Sequence, residues 1–417
     1  MNDKLDIYFS KVFCRMRHKT QLFNGAADDH YHTRLQHTIE VEEIALRMAK
    51  GIMKNGPTIN IDLSKVSTIA LLHDIGHTPF GHAGERALHE MVSGKCSCQY
   101  GLPDFNKLNV AIGFKHNLNS GLLYIEHTKY GFVDYDVLDG IVKHTKLRHD
   151  EKDTFDYGFE YIFHGHEEYY SNPKPNTIEG FIVAYADEIA QVCSDYLDIC
   201  LDARSRDEEE EFNCPPYNRL KDLAYEKREN ANKACDYLIK SFCRCFKHVD
   251  DYKHFQKNSF TKMIKKFGEY RSNFINKNAV IKDYDEEKKD IVKTLFAYYY
   301  LHPENMSNDF FGDFVYRITG KIKYSTAQVF IDARKNTIDL DFDLDEKSIS
   351  NKESTVLYIE RVKKIVEVAD ANVYSKSQLK DYKNILKLFI RSIAVHISKM
   401  TDNYAYHKYM KILDNKE

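Results

Sequence analysis

The apolar positions of this chain recur mostly at helical intervals. Between Thr33 and Ile52, the residues Val41, Ile44, Ala45, Met48 and Ile52 share one stripe, and Asn55-Gly56-Pro57 closes the segment. Leu63 to His73 repeats the pattern, with Val66, Ile69, Ala70 and His73 on one face. Thr78-Pro79 suits the first turn of a third helix, where proline forfeits no hydrogen bond. Gly94 to Asn106 reads as a loop, and Leu118–Glu126 and Val137–His144 as short helices. Asn172-Pro173-Lys174-Pro175-Asn176 is a breaker, after which Thr177 to Leu201 reads as one long helix. Asp207-Glu208-Glu209-Glu210-Glu211 followed by Pro215-Pro216 marks a solvated excursion. Tyr217 to Lys277 is helical, basic and aromatic, and residues 353–417 return to helix. Only Tyr324–Asp343 alternates, which allows one small β-hairpin. The pattern predicts a mainly α fold.

Composition narrows the class. Hydrophobic residues make up 43% of 417, ample for a core, and a net charge of −3 leaves no global basic field for nucleic acid. Nine cysteines at irregular spacings form no zinc or redox motif and read as reduced thiols of a cytoplasmic protein. The N-terminus reads as no signal peptide, and no apolar run is long enough to span a membrane.

The chemistry concentrates in His73-Asp74-Ile75-Gly76-His77-Thr78-Pro79-Phe80-Gly81-His82-Ala83-Gly84-Glu85. A lone histidine on an apolar face, such as His37 or His73, is ordinarily a packed core residue. Asp74 and Asp187 change that reading, because Asp187 sits inside the apolar helix FIVAYADEIAQV and a buried carboxylate is costly unless paired or bound to metal. One shared ion satisfies His37, His73, Asp74 and Asp187 together. A mixed nitrogen and oxygen set with open positions suits Mn²⁺, Mg²⁺ or Fe²⁺ better than structural zinc. His82 and Glu85 stand three apart on one helical face, so the carboxylate can fix the imidazole's tautomer for acid–base or nucleophilic work. His116 is a candidate for holding phosphate. Asp187, Gln191 and Asp195 form one stripe over two turns, placing Gln191 and Asp195 beside a metal at Asp187.

Several ordered stretches resemble the HD-domain deoxynucleoside triphosphate triphosphohydrolases, the bacterial dGTPase-like family. They are Lys19-Thr20-Gln21-Leu22-Phe23, the block from Asp29 to Val41, the HDIGHTPFGHAGE segment, Phe114-Lys115-His116-Asn117, Val137 to Thr145, Ala186-Asp187-Glu188-Ile189-Ala190, and Met400-Thr401-Asp402-Asn403-Tyr404-Ala405. The resemblance implies an HD-domain helical bundle with additional helices. It divides the chain into a catalytic core over 1–204, a helical accessory region over 205–385, and a C-terminal helix over 386–417 that returns to the core. It implies that His37, His73, Asp74 and Asp187 hold the metal, with His82 and Glu85 as the catalytic pair. Arg34, Lys143 and His116 would contact the triphosphate and Asp195 the sugar 3′-hydroxyl, with Arg15, Met16, His77 and Gln191 completing the substrate surroundings.

The implied reaction is hydrolysis of a dNTP, dGTP foremost, at the α-phosphorus to deoxynucleoside and triphosphate, for dNTP-pool control or phage defence. A dNTP or single-stranded DNA effector and a homo-oligomer, hexamer or tetramer, are implied as partners. The chain departs from the family at Gln191, where a tyrosine is usual, and at Ser194, where a histidine is usual; both changes bear on the sugar pocket. Two other functions compete. One is a different HD phosphohydrolase, a phosphodiesterase or nucleotidase. The other is a nucleic-acid-binding regulator with a vestigial site, using the aromatics of Lys247–Lys277 for base stacking.

Overall fold

The computed structural model describes residues 4–21, 32–56, 58–128, 133–145, 162–163, 166–170, 172–205, 229–255, 258–277, 279–319, 352–368 and 374–414. These are helical almost throughout, as the periodicity predicts, and an antiparallel bridge between Thr20 and Thr33 is the paired extended element that positions the site. The hairpin expected within Tyr324–Asp343 lies outside the described residues, as does the excursion over 207–216. Chain contacts divide the protein into two compact units, each assembled from three separate segments rather than from one continuous stretch.

The first unit comprises Met1–Ile75, Val133–Arg148 and Asn172–Glu286. Its helices begin with α1 (Lys4–Tyr8), α2 (Lys11–Arg15), α3 (Arg34–Asn55) and α4 (Leu63–Leu72). α3 starts on Thr33, whose side chain accepts a hydrogen bond from the Gln36 amide, and α4 starts on Asp62, which caps Ser64 and Lys65. The apolar stripe of α3, from Val41 to Ile52, is buried as its spacing requires.

In the second unit, Gly76–Phe132, His149–Ser171 and Glu287–Glu417, lie α5 (Gly81–Val92) and α6 (His116–His127). The chain then returns to the first unit for α7 (Tyr135–Lys143). α8 (Glu167–Tyr170) belongs to the second, and α9 (Ile178–Ser205), α10 (Glu229–Cys243) and α11 (Ser259–Lys277) to the first. α3 packs against α4, α9 and α10, and α9 also packs against α4 and α7. At the crossing of α7 and α9, a Cβ on Gly140 would meet the Gly180 Cα at 3.1 Å and the Ile69 Cδ1 at 2.7 Å, so the two helices approach only because both carry glycine there.

The aromatic stretch after residue 247 supplies core to the first unit. Phe255, Phe260 and Phe267 are buried, and Phe255 and Phe260 pack with Phe181, Tyr185 and Phe242. Those rings are spent on helix packing, not base stacking. Tyr252 donates its hydroxyl to the Asn176 carbonyl, and the side chains of Tyr270 and Phe274 lie outside the described residues.

The remaining helices are α12 (Ala279–Leu301), α13 (Asn308–Thr319), α14 (Lys352–Val368), α15 (Lys376–Ser398) and α16 (Asp402–Asp414). The second unit has one continuous apolar core, in which Leu88, Met91 and Phe105 join Phe296, Phe314, Val362 and Phe389. The seven cysteines whose side chains are described are free thiols, and among the described residues no helix is long and apolar enough to cross a membrane.

Candidate metal centre and acid–base cluster

The metal residues predicted from sequence come together in the first unit. Each arrives on a helix or at a helix end, and each is buried: His37 on α3, His73 at the C-cap of α4, Asp74 just after it, and Asp187 on α9. His37 Nε2 lies 2.9 Å from Asp187 Oδ1. His73 Nε2 lies 3.6 Å from Asp74 Oδ1 and 3.8 Å from Asp187 Oδ1.

The tautomer of His73 follows from its other nitrogen. Nδ1 is 2.7 Å from the Ala70 carbonyl, which can only accept, so Nδ1 carries the proton and Nε2 the lone pair. That Nε2 is buried and has no hydrogen-bond partner, as does His37 Nδ1. A buried lone pair among carboxylate oxygens, at separations too long for hydrogen bonds, fits a shell of donors around a cation. Burial opposes ionisation of Asp187. The hydrogen bond from His37 and the attraction of His73, His37 and His144 nonetheless hold its carboxyl well below the usual range.

Arg34 is placed by the Thr20–Thr33 bridge. Its amide donates to the Lys19 carbonyl, its Nε to the Thr20 carbonyl and its Nη2 to the Gln21 carbonyl, while Nη1 donates to Asp74 Oδ2 at 2.7 Å. Only 2% exposed, Arg34 therefore turns Asp74 so that Oδ1 meets the histidines. Lys143, near the end of α7, is likewise buried and ion-paired with Asp139 one turn earlier. Burial pushes the Lys143 pKa down and the Asp139 pKa up. Gln191 donates to both oxygens of Asp187, at 3.1 and 3.3 Å. Met16 is fully buried, and its sulfur accepts from Thr38. Arg15 ends α2 and is half-buried, and the Asp195 side chain lies outside the described residues.

The second unit holds a cluster of its own around Glu85. The third helix begins at Gly81 rather than at Thr78-Pro79 as the sequence predicts, because Phe80, its N-cap, is left-handed at φ 61° and so interrupts a right-handed turn running on from Thr78. Thr78 Oγ1 donates to the Gly81 carbonyl and the Phe80 amide donates to Asp402 Oδ1 at 2.8 Å, so the C-terminal MTD segment holds this turn. Gly76 admits the turn against α6: a Cβ there would lie 2.2 Å from the Ser120 nitrogen and 2.5 Å from the His116 carbonyl oxygen.

His82 and Glu85 share a face of α5 as their spacing requires. His82 Nδ1 is 3.1 Å from Glu85 Oε2, and the ring is 42% exposed, so its far nitrogen can meet a ligand. Glu85 Oε1 accepts both the His116 ring, at 2.9 Å, and the His116 amide. His77 stacks on His116 with centroids 3.8 Å apart. Burial works against the Glu85 charge, but attraction to His116 and the hydrogen bonds of both histidines hold its carboxyl well below the ordinary carboxylate range. Glu85 thus fixes two imidazoles at once.

The sequence reading missed His144. It caps α7 as His73 caps α4, with Nδ1 2.7 Å from the Ile141 carbonyl, and its Nε2 lies 3.7 Å from Asp74 Oδ1. Its signal in the sequence is its place in the Val137–Thr145 block, directly after the apolar face of Val137–Val142 and Lys143.

The HD domain family profile matches residues 34–191, which include His37, His73, Asp74 and Asp187. The chain is 35% identical over 198 residues to a deoxyguanosinetriphosphate triphosphohydrolase-like protein of Clostridium tetani, covering 47% of this chain and 44% of that protein. It is 38% identical to proteins of the same name in Allorhizobium ampelinum and Pelagibacter ubique, over 34% of this chain and 31% and 34% of theirs. The matched stretch therefore spans less than half the length of these relatives.

Proposed function

We propose, from the match to the HD domain model over residues 34–191 and the similarity to deoxyguanosinetriphosphate triphosphohydrolase-like proteins, that this chain is a divalent-metal phosphohydrolase acting on deoxynucleoside triphosphates. The observation that carries the reading is the buried, partnerless Nε2 of His73, set among Asp74, Asp187 and His37. His37, His73, Asp74 and Asp187 would hold the ion, which supplies Lewis-acid polarisation of a phosphoryl oxygen when bound. Manganese, magnesium and ferrous iron all suit the donor set.

His82 provides the mobile proton. Its Nδ1–H is committed to Glu85, which leaves Nε2 on the half-exposed side of the ring. A carboxylate at Nδ1 raises basicity at Nε2 and stabilises the imidazolium, so this nitrogen can pass a proton to a departing sugar 5′-oxygen while water attacks the α-phosphorus. His116 is oriented by the same carboxylate and stacked on His77, an arrangement suited to an anionic phosphate. Arg34 orients Asp74; for it or Lys143 to reach a triphosphate, each would have to exchange the carboxylate it now holds. dGTP as the favoured substrate follows the printed name of the relatives, while a role in pool control or phage defence, an effector and a closed homo-oligomer belong to this proposal only through the family resemblance of the sequence.

The test is product identity. Purified protein with Mn²⁺ is given each of the four dNTPs and GTP, and the products are resolved by ion exchange. The expected result is deoxynucleoside plus intact triphosphate, with turnover lost in His82→Ala while Mn²⁺ binding persists. Monophosphate plus pyrophosphate would instead mark a different HD phosphohydrolase.

A further inference from the structure

The structure assigns His144 to the divalent centre as a fifth protein donor, beyond His37, His73, Asp74 and Asp187. The inference rests on reading that cluster as a metal centre and adds a ligand to it.

Two observations carry it. The first is distance. Two donors each about 2.1 Å from one ion stand about 3 Å apart at a right angle and about 4.2 Å apart across it. His144 Nε2 lies 3.7 Å from Asp74 Oδ1, within that span. So do the neighbouring separations of 2.9, 3.6 and 3.8 Å that link His37, His73, Asp74 and Asp187. Donor atoms of His73, His144 and Asp187 lie within 4.8 Å of one another, as do those of His37, His73 and Asp74, so His73 is common to both triads.

The second is preparation. α4 and α7 each end on a histidine whose Nδ1 donates to the carbonyl three residues earlier, at 2.7 Å in both. A carbonyl partner places the proton on Nδ1, so a neutral ring in either position carries its lone pair on Nε2, the tautomer a cation needs. The two rings meet edge to face with centroids 4.9 Å apart, both buried. A histidine serving only the core would not need its Nε2 held toward two carboxylates already shared by other imidazoles. The Gly140–Gly180 crossing is what brings the end of α7 within reach of Asp187.

The ligand class is a divalent cation of intermediate hardness, for which a set of three imidazoles and two carboxylates is a stronger site than two and two.

The experiment compares the full-length protein with His144→Asn and His73→Asn. Asparagine can keep the hydrogen bond to the Ile141 carbonyl while removing Nε2, and circular dichroism with thermal melting confirms that each variant folds. Mn²⁺ affinity is measured by titration, and ¹⁴N electron spin-echo modulation counts the coordinated imidazoles. His144→Asn should bind Mn²⁺ at least about tenfold more weakly and show reduced nitrogen modulation. Unchanged affinity and modulation in His144→Asn, with binding lost in His73→Asn, would overturn the fifth donor alone. A wild-type protein that takes up no Mn²⁺ would overturn the metal centre itself.

Discussion

Glu85 shows what a single residue contributes here. Its two oxygens engage His82 and His116 separately, so replacing it with glutamine disturbs two imidazoles. Its folded carboxyl titrates below the ordinary value of 4.5. A group depressed on folding stabilises the fold above its unfolded pKa, and that contribution fades as pH falls through 4.5 toward the folded value. Denaturant unfolding at pH 7 and at pH 3.5 should therefore show wild type ahead of Glu85→Gln at neutral pH and the gap narrowing in acid; a gap that widens in acid would contradict the assignment. The His82–Glu85 pair was legible because both partners lie on one helix. The second partner, His116, was flagged from its motif as a phosphate holder, while its bond to Glu85 spans 31 positions that no periodicity connects. Arg34 was legible as functional, but its commitment to Asp74 depends on the bridged KTQ segment, which spacing does not reveal.

At the scale of elements, helix ends matter more than helix faces. Periodicity located α3, α4, α7 and α9, yet the chemistry sits where α4 and α7 stop and where α5 starts. Proline suggested a start at residue 78, but the left-handed Phe80 delays it, held by Asp402 from 322 positions away. Two glycines have opposite character. Gly76→Ala would place its Cβ against backbone of α6, which cannot move aside, and should destabilise by at least about 2 kcal/mol. Gly268, inside α11 with nothing within 4 Å, should gain about 0.5–1 kcal/mol on replacement by alanine. Thermal melting of both variants checks the pair, and shifts of the same sign would contradict it.

Across the whole molecule, chain order and spatial order diverge. The resemblance implies consecutive regions over 1–204, 205–385 and 386–417; chain contacts group the protein into two units, each drawing on three segments. Hydrophobic periodicity reports that a helix is amphipathic but not which other helix it covers, so this level was the least legible. In the second unit the interleaving is fastened by charge as well as by apolar burial. Glu126 of α6 accepts Arg317 of α13 and Lys399 just after α15, and Arg317 also donates to Ser392. Arg317→Ala would leave the buried Glu126 without its closer cationic partner and should cost about 3 kcal/mol, read as a lowered melting temperature with little change in Mn²⁺ affinity.

The central claim is water attack at the α-phosphorus with the 5′-oxygen leaving. Hydrolysis of dGTP by the Mn²⁺-loaded protein in H₂¹⁸O tests it most directly, with mass analysis of both products. The account predicts one ¹⁸O in inorganic triphosphate and an unlabelled deoxynucleoside. Label in the nucleoside 5′-hydroxyl, or release of pyrophosphate or orthophosphate in place of triphosphate, would contradict it.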